Sequence, residues 1–542
     1  MIVKITSVLI LVGLFSLNGI AQLRFIPMAE YYKDRAFIST TKEEDGKTYK
    51  TPTFFPVLEG AYYTVSDLDT NSERRTWLGR KLFDEHFFQY QNNEYFISID
   101  PIVNFSMGRD RRDTDNKTYF HNTRGIRVTG GIGKYFGFYS TLQENQARFV
   151  DYQSRYIQWR GEYYPTSSGN FVRTNGFVPG AARTKDFKGD GFDFAFVTGG
   201  IIVQPNQNLT ISLGNGPMFV GAGYRSLFLS DHSNMAPHLR FSIQLHEKLH
   251  AEVIYAQHLN LVRTQLFNTG TEAFYQKKGF TARYLTYTPS EKVQLSLFEG
   301  TSWQRWTDTE ALRAHSLFFN PIPLINPAVL GLRHERSNTV LGLNAVLRPL
   351  KWLHLYSQIA IDDFKNLKPA LQAGLRFTQP FGIKQLHALI EVNRVPETFY
   401  QHDNTRLNYI HNNTALAHPM GAGFTEILGR MSYEWRRIGI MVSGNLYQTV
   451  YFTQSNFYGT PLLAEKKPPQ PNPSGGAPLP PVESVIALGQ FDLFYRFNRK
   501  NNLQLFASVL YRDARARGGF QHETLFFNLG VRTNLSNQYF DF

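Results

Sequence analysis

The chain contains no cysteine. Disulfide staples, thiol catalysis, Cys-based zinc sites and the lipid-bearing cysteine of a lipoprotein are therefore excluded. Charged residues are also sparse, at 19% of 542 residues. Beyond the N-terminus, no stretch supplies the roughly 18 consecutive apolar residues that a membrane-spanning helix requires. A chain of this kind crosses a bilayer as strands or not at all. Against these absences stands an abundance of aromatics, 15% of the chain with 29 Tyr and 45 Phe, at a mean hydropathy of -0.32. That mixture disfavours disorder and suits strands that are apolar on one face and polar on the other.

The first residues read as an export address. Lys4 supplies the positive start, residues 5–17 the apolar core, and Gly19-Ile20-Ala21 a small-residue cleavage site, so residues 1–21 are expected to be a signal peptide and the mature chain to begin at Gln22. Export sets nucleic acid aside as a partner. The formal charge of +13 instead favours an anionic one, such as an acidic polysaccharide or lipopolysaccharide phosphates.

Residues 22–93 lack a sustained period of two and hold one clear helix pattern, SERRTWLGRKLFDEHF. Ser72 is placed to cap it, Glu73 lies in its first turn, and Trp77, Leu78, Leu82 and Phe83 recur on one face. This segment is expected to form a small periplasmic piece or a helical plug beneath the barrel. From Glu94 to the end the pattern becomes runs of about ten residues with alternating polarity, the length of a tilted membrane strand. Val485, Ala487, Phe491, Leu493, Tyr495 and Phe497 share one face, opposite Gln490, Asp492 and Arg496. Leu503, Leu505, Ala507 and Val509 then oppose Gln504, Ser508 and Arg512, and Leu525, Phe527, Leu529 and Val531 oppose Thr524, Asn528 and Arg532.

Connection lengths give an independent reading, because bacterial barrels alternate short periplasmic turns with longer outer loops. Short turns are expected at 133–134, 205–208, 246–249, 289–292, 349–351, 380–383, 437–438 and 498–502. Longer connections are expected at 108–117, 150–190, 215–236, 260–277, 302–333, 362–369, 396–423, 453–483 and 513–522. The count predicts an all-β fold, a closed antiparallel transmembrane barrel of about 18 strands over residues 94–542, with both ends in the periplasm. The last residue, Phe542, matches the terminal aromatic of many such barrels. The Pro-rich tract KKPPQPNPSGGAPLPP falls within one outer loop and reads as a solvated spacer.

Candidate chemistry is thin. His246-Glu247-Lys248-Leu249-His250 matches the zinc-protease pattern, but that chemistry needs a helix and the flanks here are strand-like, which places the motif on a turn. The glycines of Gly131-Ile132-Gly133-Lys134-Tyr135-Phe136-Gly137 lack a phosphate loop's spacing, and Asp113-Thr114-Asp115-Asn116 lacks the Gly and Glu of a calcium loop. No metal, cofactor or catalytic group is expected. Alternation assigns Arg127, Arg283, Arg348, Arg376, Arg430, Arg496, Arg512 and Arg532 to the lumen with Asp100, Glu426 and Asp492. These residues form either a basic path for an anionic polymer or a mutually paired network that fills the interior. Predicted outer loops carry Tyr152, Tyr156, Trp159, Tyr163 and Tyr164, then Trp303 and Trp306, then Phe399, Tyr400 and Tyr409, interleaved with Arg155, Arg160, Arg305 and Arg406. Aromatic faces beside guanidinium donors suit sugar rings bearing carboxylates, and equally suit a membrane-boundary girdle.

Four stretches, WLGRKLFDEHF, RGIRVTGGIGKYFGFYSTLQENQARF, GAGYRSLFLSDHS with HLRFS, and HPMGAGFTEILGRMSYEW, resemble the Wzi family of outer-membrane capsule-assembly proteins and, within it, RemB-like gliding-motility proteins. The resemblance implies an eighteen-stranded barrel plugged from the periplasm that holds surface polysaccharide rather than catalysing a reaction. The single N-terminal helix and the Pro-rich loop depart from the capsule proteins and leave room for a motility or adhesion role. In GYRSLFLSD, Arg225 and Asp231 flank the apolar Leu227, Phe228 and Leu229, so this connection is expected to fold into the lumen and constrict it, with a purely structural Arg225–Asp231 pair as the plainer and compatible reading. The candidate ligand-binding set is Arg225, Asp231, Tyr156, Trp159, Arg160, Trp303, Trp306 and Tyr400. The expected partners are surface polysaccharide, outer-membrane lipid and, on the second reading, proteins of a motility or secretion machinery.

Overall fold

A computed structural model describes residues 23–39, 50–59, 74–165, 171–233, 235–263, 275–307, 310–365, 367–452, 457–458, 482–517 and 519–542. The expected signal peptide and the Pro-rich tract lie outside them. Eighteen antiparallel strands close into one barrel. They are β1 (Tyr95–Asp110), β2 (Thr118–Ile132), β3 (Phe136–Arg148), β4 (Gly191–Asn206), β5 (Leu209–Gly216), β6 (Ala236–His246), β7 (Leu249–Arg263), β8 (Tyr275–Ser290) and β9 (Val293–Gln304). The second half comprises β10 (Ser337–Leu350), β11 (Leu353–Ile361), β12 (Ala370–Thr378), β13 (Leu386–Val395), β14 (Phe424–Trp435), β15 (Ile438–Phe452), β16 (Val482–Asn498), β17 (Leu503–Ala516) and β18 (Phe520–Thr533). Closure is the pairing of β18 with β1, where Phe526 to Arg532 register against Asp110 to Asn104. Because the last strand pairs with the first, the wall closes on itself and leaves no free edge strand toward the membrane.

The short and long connections alternate as expected, with one exception. The β17–β18 connection, read as a loop over 513–522, is only residues 517–519, because both strands continue upward in register through Ala516 and Phe520. Outward side chains are mostly apolar and exposed, including Leu343, Leu493, Leu505 and Leu529, as lipid contact requires.

The N-terminal segment does plug the barrel, but with a helix other than the expected one. The helix in WLGRKLF forms as α2 (Trp77–Phe83), capped by Thr76 rather than Ser72. It does not plug the barrel: Phe83 packs on outward-facing Phe497, Asn498 donates to the carbonyls of Lys81 and Glu85, and Trp77 and Leu78 are exposed. The helix inside the lumen is another, α1 (Glu30–Ser39), whose residues Tyr32, Lys33, Ala36 and Phe37 are all buried. Its sequence EYYKDRAFIS has no amphipathic stripe, because it is surrounded by protein on every side and meets polar and apolar partners alike. Residues 54–55 follow it into the lumen and pair with residues 219–220. The C-terminal residues 534–542 also turn inward. Phe542 is buried against Tyr156 at 4.2 Å between ring centroids, so it does not end the last strand.

Two outer loops leave the rim in opposite directions. The β5–β6 loop, 217–235, folds into the lumen with the β13–β14 loop, 396–423, above it. There Leu227, Phe228, Leu229, Tyr400 and Tyr409 join inward residues of β7–β11 in an apolar core. Phe228 stacks on Phe298 at 4.8 Å, and a Cβ at Gly342 would stand 2.1 Å from the Phe228 ring, so the wall is glycine where the loop presses on it. The β9–β10 connection instead sends residues 316–332 down the outer wall, where α3 (Asp151–Trp159) has no part; that helix sits in the β3–β4 connection.

Candidate functional site

Within the lumen lies a buried polar knot built from Arg225. Its Nε and Nη2 donate to Glu426 Oε1 of β14 at 3.2 and 3.1 Å, Nη2 also donates to the Tyr447 hydroxyl of β15 at 2.8 Å, and Asp541 of the tail lies 3.1 Å away. Glu391 of β13 accepts the backbone N–H groups of Tyr224 and Arg225 and the Tyr356 hydroxyl, at 2.8 to 3.1 Å. Asn393 bridges Glu391 and Glu426, and His418 reaches Glu426 at 2.6 Å. Burial would lower the Arg225 pKa, but the carboxylates of Asp541 and Glu426 and the phenols of Tyr447 and Tyr224 hold it above the ordinary arginine value. The cation is fixed.

Asp231 belongs to a second cluster. It accepts from the Tyr539 hydroxyl at 2.6 Å and from Asn537 at 3.1 Å, and Lys33 of α1 lies 3.5 Å away. Arg225 and Asp231 are therefore not an ion pair with each other. The loop between them is held by backbone contacts: Gln358 accepts from the Leu227 N–H and donates to the Val220 carbonyl, and the hydroxyls of Tyr400 and Tyr409 donate to the carbonyls of Leu227 and Phe228. Below it, Asp34 of α1 pairs with Arg376 at 2.7 Å and with Arg430 at 3.4 Å. Burial would raise the Asp34 pKa, but His387, Arg430 and Arg376 outweigh it and hold the carboxyl below its usual value.

The fold is that of an outer-membrane β-barrel. No protein-family model matches the chain, and no curated protein matches it in sequence. Its structure is similar to that of Wzi from Escherichia coli, an outer-membrane protein involved in group 1 capsule assembly and a carbohydrate-binding β-barrel. The TM-score is 0.53 at 12% identity, over 95% of this chain and 100% of that one. At that identity the likeness is one of fold. Lower similarities run to Pseudomonas aeruginosa OpdL, at TM-score 0.39, 10% identity and 81% and 97% of the two chains. Another is P. aeruginosa OccK2 in complex with glucuronate, at 0.41, 8%, 80% and 96%.

Beside the knot, a cavity of about 380 Å³ remains between the tail, α1 and the inner faces of β1–β3 and β14–β18. Its lining mixes amides, among them Asn104, Gln143, Asn145, Gln490, Gln504, Asn528 and Gln538, with aromatic rings such as Phe120, Phe149, Phe494 and Phe506. Four of its arginines are paired with carboxylates, Arg430 with Glu30 and Asp34, Arg496 with Glu434 at 3.0 Å, Arg532 with Asp492 at 3.5 Å and Arg148 with Asp190 at 2.6 Å, while Arg35 donates to Gln385. Of the two readings of the lumen arginines, the paired network describes these residues, and no unbroken basic path runs along them.

Arg283 was misassigned. Ala282 and Tyr284 face the lumen core, so Arg283 points outward, where it pairs with Glu299 at 2.6 Å. Polarity alone had placed it inside, but a covered outer wall can also hold charge.

The aromatic candidates divide. Tyr156, Trp159 and Arg160 come together at the outer end of α3, with the Arg160 guanidinium 4.1 Å from the Tyr156 ring, around a recess shared with Asp151, Arg155 and His522. Tyr156 is buried between Phe542 and His232, and only Trp159 and Arg160 remain half-exposed. Tyr400 is wholly buried in the lumen core and Trp303 is stacked on Phe318 at 5.1 Å, so neither offers a face to a glycan; packing has consumed both. Trp306 stays half-exposed in a different sector. His246 closes β6 and His250 lies in β7 facing Glu252, so the zinc-protease pattern falls on a hairpin turn as expected.

Sequence reasoning missed Glu391, Tyr447, His418 and Asp541 as parts of the knot. A signal existed in part: neighbouring strands β13, β14 and β15 each carry an acid or amide on the inward face, Glu391 with Asn393, Glu426, and Asn445 with Tyr447. Nothing local pointed to Asp541, which meets Arg225 only because the tail turns back.

Proposed function

We propose that this barrel binds or organises cell-surface polysaccharide in the outer membrane and carries out no catalysis. The observation that supports this most is the filled lumen. Loops 217–235 and 396–423, α1 and the tail together occupy the space that a general diffusion porin would leave to water, and they do so through a fully buried hydrogen-bonded knot. Among the described residues they leave a cavity of the size of small-ligand sites, about 380 Å³, lined by amides, aromatic rings and mostly paired charge. Such a lining suits hydroxyl-rich sugar units better than an anionic polymer. Trp159, Arg160 and Trp306 at the rim remain candidate glycan contacts, while Arg225 and Asp231 act by shaping the interior. The fold likeness to a carbohydrate-binding capsule protein agrees with this reading.

A deletion strain scored in parallel for cell-associated polysaccharide and for movement over a surface tests it. Shed polysaccharide with intact movement is the expected result. Lost movement with normal polysaccharide would overturn it and favour a motility-machinery barrel whose partners are proteins.

A further inference from the structure

Residues 316–332, SLFFNPIPLINPAVLGL, contain no Asp, Glu, Lys or Arg, although they belong to an outer loop. They lie against the outward faces of β7, β8 and β9. The Thr281 hydroxyl donates to the Phe318 carbonyl at 2.9 Å, the Tyr255 hydroxyl donates to the Phe319 carbonyl at 2.7 Å, and Phe318 is stacked on Trp303. Beneath them sits the outward ion pair. Arg283 donates to Glu299 at 2.6 Å and to the Asn320 carbonyl at 2.5 Å, and the other Glu299 oxygen accepts the Leu324 N–H at 2.6 Å. Arg283 and Glu299 are both buried, at 1% and 0% exposure.

The height of this pair matters. Glu299 stands six residues above Val293, where β9 begins. At about 3.3 Å per residue and a tilt of about 40°, that is about 15 Å up an apolar band about 25 Å tall. Below the pair the outward residues of the same strands are apolar, with Tyr287 and Leu295 exposed. The pair therefore lies within the lipid band, and the strap is what separates it from acyl chains. The strap's own outer side is apolar and exposed: Phe319, Ile322, Leu324 and Val329 are 44 to 64% accessible.

We infer that residues 316–332 form a strap embedded in the outer leaflet, where Phe319, Ile322, Leu324 and Val329 contact lipid acyl chains and its inner side satisfies the Arg283–Glu299 pair. The occupant follows from continuity, since the strap's exposed side chains extend the apolar belt around β8 to β11 over a place where the wall itself is polar. Its exposed side chains are apolar apart from Ser316 at its start, and none is charged, so a charged protein partner would find no ion pair on it.

The absence of native cysteine permits a direct test. Ile322→Cys and Val329→Cys are each spin-labelled in the full chain, reconstituted in vesicles of lipopolysaccharide and phosphatidylethanolamine, with Leu343→Cys as a belt reference and Asp115→Cys as an aqueous one. Collision with oxygen, which partitions into acyl chains, and with a water-soluble nickel chelate is then measured. The strap labels are expected to match Leu343, with oxygen access high and nickel access lost relative to Asp115. Nickel access equal to that at Asp115 would overturn the proposal in favour of a strap in water. Low access to both reagents, measured on native outer membranes as well as vesicles, would overturn it in favour of a protein neighbour. Heat-modifiable gel migration of each variant confirms that the barrel under test is folded.

Discussion

The loop at 217–235 and the strap at 316–332 leave the same rim and fold against opposite sides of the same wall, one inward and one outward. The inward loop brings its own charges, Arg225 and Asp231, and finds partners for them on β14, α1 and the tail. The strap brings none, and the wall beneath it supplies both members of the ion pair that it covers. The lumen can receive new charge because its walls are polar and can answer it. The lipid side cannot, so a segment exposed there has to be neutral even when it shields charge.

The comparison is broken most severely by Arg225→Met. Glu426 would then lose its guanidinium partner in the closed interior, at a cost of about 3–5 kcal/mol, and loop 217–235 would loosen. The expected readings are a lowered urea midpoint for the heat-modifiable shift and a higher conductance in planar bilayers than the parent's. An unchanged midpoint would mean that the knot is incidental.

On the outer wall, Arg283→Met alone should cost about 3 kcal/mol by stranding Glu299, whereas Arg283→Met with Glu299→Leu should return to within about 1 kcal/mol of the parent. The same urea titration measures both. Equal losses in single and double variants would show that the strap depends on the charges and not merely on covering them.

The α1 clasp sharpens the contrast more gently. Asp34→Asn should weaken it by about 2 kcal/mol, the scale of a lost charge-assisted hydrogen bond, and should expose 23–39 to protease from the periplasmic side. Because the Asp34 pKa is lower in the folded protein, its stabilisation is fully present above the ordinary carboxyl value of about 3.9 and is lost as pH falls through the folded value. Protease sensitivity of the parent should therefore rise in acid below that point, and Asp34→Asn should reduce this pH dependence. The smallest effect belongs to the rim: Trp306→Ala should change stability by no more than about 0.5 kcal/mol, and any loss of polysaccharide retention would then report contact rather than folding.

Much of this was legible in the sequence. Alternation in residues 485–533 assigned the faces of β16 to β18 correctly, since each side chain's environment there depends only on which side of the wall it lies. The inward fold of GYRSLFLSD was legible too, because a connection carrying Leu227, Phe228 and Leu229 has to bury them somewhere. Alternation failed at Arg283, where the rule that polar means inward met a covered outer wall. The aromatic candidates failed differently: Tyr400 and Trp303 had the composition of binding residues, but whether an aromatic ring is a face or a filler depends on what folds over it.

By itself, then, the sequence determined the barrel: strand number, strand phase and the alternation of turns follow from local polarity and spacing, which each segment carries independently of the others. Only the tertiary structure decided what fills the lumen and what covers the wall. Those contacts join residues such as Asp34 with Arg376, Arg225 with Asp541 and Asn320 with Arg283, which no local period relates. They form because closing the barrel leaves buried charges and apolar side chains that can be satisfied only by segments returning from far along the chain.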